Sequence, residues 1–149
     1  MTPARAHIGH ALRLVAILWA FSRATPWLPR ARSPLTDLRV MLLAIRRGWV
    51  QVAFDRHGPA AFIARDGERI HALYVHPRAR GQGLGRALLD QAKTQEPRLD
   101  LWVLAANRDA RAFYARQGFA EAGHSPGLGN DENLPDLRMV WHARERGPS

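Results

Sequence analysis

Residues 78–89 read RARGQGLGRALL. Gly81, Gly83 and Gly85 alternate with other residues, arginines stand on both sides, and an apolar run follows. Glycine reaches backbone conformations closed to other residues, so main-chain N–H groups can turn inward as a nest of donors. A helix opening directly after such a nest adds its own unpaired N–H groups. Arg78, Arg80 and Arg86 bring positive charge to the same place. The stretch therefore reads as a seat for a diphosphate, against the plainer reading of a glycine turn.

Three phosphate-binding patterns compete for it. A P-loop requires a lysine after its last glycine, and none follows here. A dinucleotide fingerprint, G-x-G-x-x-G or its alanine variant, fails in both frames, because Arg86 or Leu88 stands where the third small residue belongs. The pattern R/Q-x-x-G-x-G/A is met at every position by Arg80, Gly81, Gln82, Gly83, Leu84 and Gly85.

Working outward, Ile70 to Val75 reads as a strand ended by His76-Pro77, and the glycines lead into a helix from Gly83 to about Gln95. Leu84, Leu88 and Ala92 stack on its inner face. Upstream, Trp49–Phe54 and Ala60–Arg65 read as strands, with Asp66-Gly67 as a hairpin turn before the third. These three form an antiparallel meander. Downstream come a strand at Leu99–Leu104, a helix at Asn107–Gln117 closed by Gly118, a short strand at Phe119–Ala122, a polar loop over 123–134 and a last strand at Leu137–His142. Two helices precede the meander: residues 8–21, and a second capped by Thr36 or Asp37 and running to about Arg47. A Pro-rich loop, Arg23–Pro34, joins them.

The element order predicts an α/β (α+β) single domain over residues 1–149, with a mixed, mostly antiparallel sheet flanked by helices. Residues 143–149 are expected to fray. The chain holds 46% apolar residues, enough for one core. It contains no cysteine, which excludes a disulfide framework, a thiol nucleophile and cysteine zinc sites. Ala11–Phe21 is too short to span a bilayer, and Arg13 breaks it both as a span and as a signal peptide. The net charge is +9, and Lys93 is the sole lysine. The arginines are spread along the chain rather than gathered in a stripe, which argues against nucleic acid as the partner. His7–His10 spells HIGH and residues 123–127 fit G-x-S-x-G. Neither has the flanking strand and helix that its mechanism needs.

The glycine pattern resembles the acetyl-CoA loop of the GNAT superfamily of N-acetyltransferases. Leu73-Tyr74-Val75, then His76-Pro77, then the loop, are similar to the central motif of that family. Asn107, Ala110, Phe113-Tyr114 and Gly118-Phe119 are similar to its second motif, in the expected order and with a strand between. The resemblance covers roughly residues 36–142. It departs at the start, where the first strand of the family is missing or very short.

The resemblance implies an acetyl-CoA-dependent transfer of an acetyl group to an amine of a small molecule or peptide, without a metal. The alternative is a non-catalytic acyl-CoA-binding or sensing domain. Residues 70–122 would form the acetyl-CoA core. The backbone at Leu73, Tyr74 and Val75 would hold the pantetheine arm and the acetyl carbonyl. Arg80, Gly81, Gln82, Gly83, Leu84, Gly85 and Arg86 would hold the diphosphate. Asn107, Ala110 and Phe113 would contact the arm. Tyr114 would protonate the departing thiolate, since a phenol near pKa 10 is nearly balanced with an alkyl thiol. His71, Glu132 beside Asp131, or bulk water through a short chain would take the proton of the amine. Residues 1–35 would form the acceptor side, with Trp19, Trp27 and Trp49 as candidate lining residues and Asp131, Glu132 and Asp136 as attractors for a cationic amine. A cytoplasmic enzyme acting on an amine, without a membrane or nucleic-acid partner, is expected; a homodimer is left open.

Overall fold

The computed structural model describes residues 3–25, 33–126 and 134–143. A seven-stranded sheet has the spatial order β1-β2-β3-β4-β5-β7-β6. Its strands are β1 (Ala4–Arg5), β2 (Val50–Asp55), β3 (Gly58–Asp66), β4 (Arg69–Val75), β5 (Arg98–Leu104), β6 (Ala120–Ser125) and β7 (Asp136–His142). All neighbours pair antiparallel except β4 and β5.

Four helices cover the sheet: α1 (Ala11–Arg23), α2 (Pro34–Arg46), α3 (Leu84–Gln95) and α4 (Arg108–Arg116). On one face Leu14, Val15 and Ile17 of α1 and Met41, Ala44 and Ile45 of α2 bury Val50, Val52, Phe62 and Ala64. On the other face Leu88, Leu89 and Ala92 of α3 and Tyr114 of α4 bury Ile63, Ile70, Leu99, Leu101 and Val103. The two faces alternate along each strand, as the pleat requires.

Of the two expectations for the first strand, missing or very short, β1 is the second: it is two residues long. Ala4 pairs with Val52 and Arg5 with Gln51. The second helix starts earlier than expected. Ser33, not Thr36 or Asp37, is its N-cap, accepting a 3.2 Å hydrogen bond from the Thr36 N–H, and Pro34 occupies the first helical position. Asp37 instead accepts from the Trp19 indole N–H at 3.1 Å, tying α2 to α1.

The expected loop at 123–134 is also corrected at its start. Gly123, His124 and Ser125 continue β6 against Arg138, Leu137 and Asp136, and a register shift between Glu121 and Gly123 admits Ala122 as an extra residue. Ser125 is thus on a strand. Lys93 closes the far end of α4: its Nζ donates to the Gln117 carbonyl at 2.6 Å and lies over the Trp141 ring.

Candidate active site

The site begins where β4 and β5 part. These strands share only two register pairs, Arg69 with Asp100 and Ile70 with Leu101. Each runs on for several residues, β4 to Val75 and β5 to Leu104. A V-shaped gap therefore opens above Ile70 and Leu101. Beyond Ile70 the β4 wall of that gap has no register partner on β5. His76 donates its N–H to the Ala60 carbonyl on β3 at 2.8 Å. Backbone groups alternate sides along a strand, so those of Tyr74 face β3 and those of Leu73 and Val75 face the gap. The donors expected at Leu73 and Val75 thus point where an extended ligand arm would lie. Tyr74 contributes its side chain on the α1 face, edge-on to Phe21 and beside Phe62.

A bulge sits at the vertex of the V. The β3–β4 register passes from Ala64–Ala72 to Arg65–Ile70, leaving His71 as the extra residue. The His71 imidazole is exposed and stacks on Trp49, with ring centroids 5.1 Å apart. Arg47 covers the same indole. No local sequence signal marks this bulge.

The glycine loop lies at the open end of β4. Pro77–Ala79 makes one helical turn, held by a 3.1 Å bond from the Arg78 N–H to His76 Nδ1. Gly81 and Gly83 have φ of 79° and 76°, a left-handed conformation that favours glycine. Gly83 is the N-cap of α3, and no acidic side chain occupies its first turn. The first N–H groups of α3 have no intrahelical partner, and a Cβ on Gly81 or Gly83 would meet no atom within 4 Å. That is an open cradle of donors, and a diphosphate fits it. Gly85 serves differently. It is buried, and a Cβ there would come within 3.3 Å of Phe113 and 3.6 Å of Val75, so glycine lets α3 pack against α4 and β4.

The three arginines separate in role. The Arg78 guanidinium turns away from the cradle, bonding Asp55 at 3.1 Å and the Pro59 carbonyl at 3.0 Å. It pins the β2–β3 hairpin to the loop, so its charge is already paired with Asp55. Arg80 and Arg86 are exposed; Arg86 has Asp90 at 3.6 Å, one turn along α3. A cavity of about 440 Å³ lies beside the loop between Arg78, Gln82, Leu84 and the hairpin residues Phe54–His57. It adjoins the cradle and does not enter the gap.

From the opposite side α4 closes the site. Asn107 is the N-cap of that helix, its Oδ1 accepting from the Ala110 N–H at 3.2 Å. The cap uses the carbonyl oxygen and leaves the side-chain NH₂ for a ligand. Ala110 and Phe113 pack on the core beneath Leu84 and Val75. Tyr114 is buried between Phe113 and Phe119. Burial first, and the neighbouring Tyr74 phenol second, push its pKa well above the ordinary value. The neutral phenol is therefore favoured, and the expected balance with a thiol is displaced.

Glu132, Asp131 and Trp27 lie outside the described residues. Among the described residues, no group of three or more histidine, aspartate or glutamate side chains is placed to hold a metal, and no helix is long and apolar enough to cross a membrane.

Known proteins of similar sequence and fold are acetyltransferases. A family model described as an acetyltransferase (GNAT) domain matches residues 45–121. The peptidyl-lysine N-acetyltransferase YjaB of Salmonella typhimurium is 39% identical over 93 residues, 62% of this chain and 63% of that protein, just under two thirds of its length. YjaB of Escherichia coli is 35% identical over 111 residues, 73% of this chain and 75% of that one. The solution structure of apo-form Escherichia coli YjaB superposes with a TM-score of 0.78 at 25% identity, covering 96% of this chain and 98% of that chain.

Proposed function

The chain belongs to the GNAT superfamily of N-acetyltransferases, and from that membership we propose that it transfers an acetyl group from acetyl-CoA to the side-chain amine of a peptide lysine. The observation that carries the reading is the early parting of β4 and β5 beside an open glycine cradle. The curated relatives named as peptidyl-lysine acetyltransferases support the choice of acceptor.

The acetyl thioester, when bound, supplies the electrophilic carbonyl. The residues of the chain do the rest. The amides of Gly81 to Arg86 bind the diphosphate, with Arg80 and Arg86 as counter-charge. The Leu73 and Val75 N–H groups orient the pantetheine arm and the acetyl oxygen, where developing negative charge is best stabilised. Asn107, Ala110 and Phe113 hold the arm from the α4 side. Tyr114 donates to the departing sulfur. His71, exposed at the bulge, receives the amine proton, with Glu132 as the second group proposed for that role. The segment 1–35 forms the acceptor side of a single domain, and the enzyme works in the cytoplasm.

A lysine-peptide panel with acetyl-CoA, read by release of free thiol and by mass of the peptide, tests the reading. Acetylated peptide is expected. Bound acetyl-CoA without transfer to any amine would favour the sensing domain.

A further inference from the structure

The face of the sheet opposite α3 and α4 carries a cluster that the proposed chemistry does not use. Leu99, Leu101 and Val103 of β5 point into the α3 core. By alternation Asp100 and Trp102 point the other way, as does Arg138 of β7 beside the core residue Met139. Arg69 joins them from β4 as the register partner of Asp100.

Asp100 has only 6% of its side chain exposed, and three guanidiniums converge on it. Arg69 bonds Oδ1, Arg98 lies 3.1 Å from Oδ2 and Arg138 3.5 Å from the same oxygen. Glu68 adds one carboxylate 3.6 Å from Arg98. Among the described residues three cations face two anions, which leaves the patch positive, and three guanidiniums offer more N–H donors than those carboxylates can accept. The arginines are not buried: Arg69 is 46% exposed, Arg98 and Arg138 31% each. Trp102, register partner of Arg138, is also exposed on this face.

Position gives the cluster its meaning. The α3–α4 layer closes one face of the gap, so an acceptor reaches the thioester from the face that bears the arginines. The cluster sits at the vertex. Leu73, whose N–H faces the gap, lies three residues beyond Ile70, about 10 Å along the strand. That interval suits an extended lysyl side chain whose amine enters the gap while a neighbouring residue lies over the vertex.

We propose that the Arg69–Arg98–Arg138 cluster around Asp100 selects lysines flanked by acidic residues, binding an Asp or Glu carboxylate next to the reacting lysine. Asp100 holds the three guanidiniums in place but cannot neutralise them, so a carboxylate from the acceptor completes the site. Bidentate arginine–carboxylate pairing supplies the geometry, and exposure keeps each contact modest and salt-sensitive. This specificity rests on the acetyl-transfer reading above.

The test uses the full chain and three peptides of one sequence that differ only in the residues flanking a single lysine: glutamate, glutamine or arginine. The expected order of kcat/KM is glutamate, then glutamine, then arginine, with about tenfold between the first two, equivalent to ~1.4 kcal/mol. The glutamate advantage shrinks as ionic strength rises. In Arg69→Gln and Arg138→Gln the glutamate-to-glutamine ratio moves toward one, whereas Arg116→Gln on α4 keeps the wild-type ratio. Equal or reversed rates with wild type, or an unchanged ratio in both cluster variants, would overturn the proposal while leaving lysine acetylation standing. No acetylation of any peptide would overturn the acetyl-transfer reading and this one with it.

Discussion

Arg69 and Asp100 are register partners at the point where β4 and β5 begin to part, and their side chains are bonded to each other. One ion pair thus lies at the vertex of the gap proposed to take the pantetheine arm. Burial alone would raise the pKa of Asp100, but the bond from Arg69 and the charges of Arg69, Arg138 and Arg98 outweigh it and hold the carboxyl below its ordinary value. A lowered carboxylate stabilises the fold above its unfolded pKa of about 4, and that contribution is lost as pH falls. Asp100→Asn is expected to cost about 1–3 kcal/mol at neutral pH, less than a fully buried pair because the arginines reach solvent. It should also flatten the acid limb of a plot of Tm against pH. A variant as acid-sensitive as wild type would show that the vertex ion cluster is not where acid acts.

Gly83→Asp separates the cradle from the fold. Aspartate tolerates left-handed φ better than most residues and is a good N-cap, and space for its Cβ is open. Its carboxylate would stand where the diphosphate is proposed to bind. Titration calorimetry is expected to show acetyl-CoA affinity lowered by at least about tenfold, or ~1.4 kcal/mol, with Tm lowered by only a few degrees for the left-handed φ. Unaltered affinity would refute the loop assignment.

Tyr114→Phe keeps the ring packing of Phe113 and Phe119 and removes only the hydroxyl. Turnover is expected to fall ~10²-fold, the loss of one hydrogen-bond donor to the charge developing on sulfur, with acetyl-CoA affinity nearly unchanged. Wild-type turnover in the variant would make Tyr114 a core aromatic and nothing more.

His76 links pH to the same loop. Burial, then the Arg78 charge, lowers its pKa, with Asp55 pulling the other way. The unfolded chain takes up this proton near pH 6.5 and the folded chain only at lower pH. The stabilisation is therefore fully present above about pH 6.5 and is lost as pH falls from there through the lower folded-state pKa. Protonation also removes the Nδ1 acceptor for the Arg78 N–H. Between pH 7.5 and 5.5 the wild type is expected to lose more Tm than His76→Gln; equal losses would assign the effect to other groups.

Much of this site is legible in the residues because its signals are local. A run of alternating glycines after an apolar strand requires positive φ, and Gly81 and Gly83 adopt it. Asn107 and Gly118 bracket α4 because capping chemistry is read within one turn. The rest depends on contacts distant in sequence. Ala4–Arg5 is too short to show a period, and its pairing rests on β2, nearly fifty residues away. The bulge at His71 is a mismatch of register between two strands, which neither strand encodes alone. Arg78 looks like its neighbours until Asp55 and Pro59 claim its guanidinium. Asp100 gathers arginines from three strands, an arrangement that only the topology creates.

Main-chain amides between Arg80 and Arg86, with those of Leu73 and Val75, are proposed to grip acetyl-CoA. Hydrogen–deuterium exchange of the backbone with and without that thioester tests this residue by residue. Slowed exchange is expected at Gly81–Arg86 and along the gap-facing side of β4. Saturating acetyl-CoA that leaves those amides exchanging as in the free protein, while protecting another surface, would contradict it.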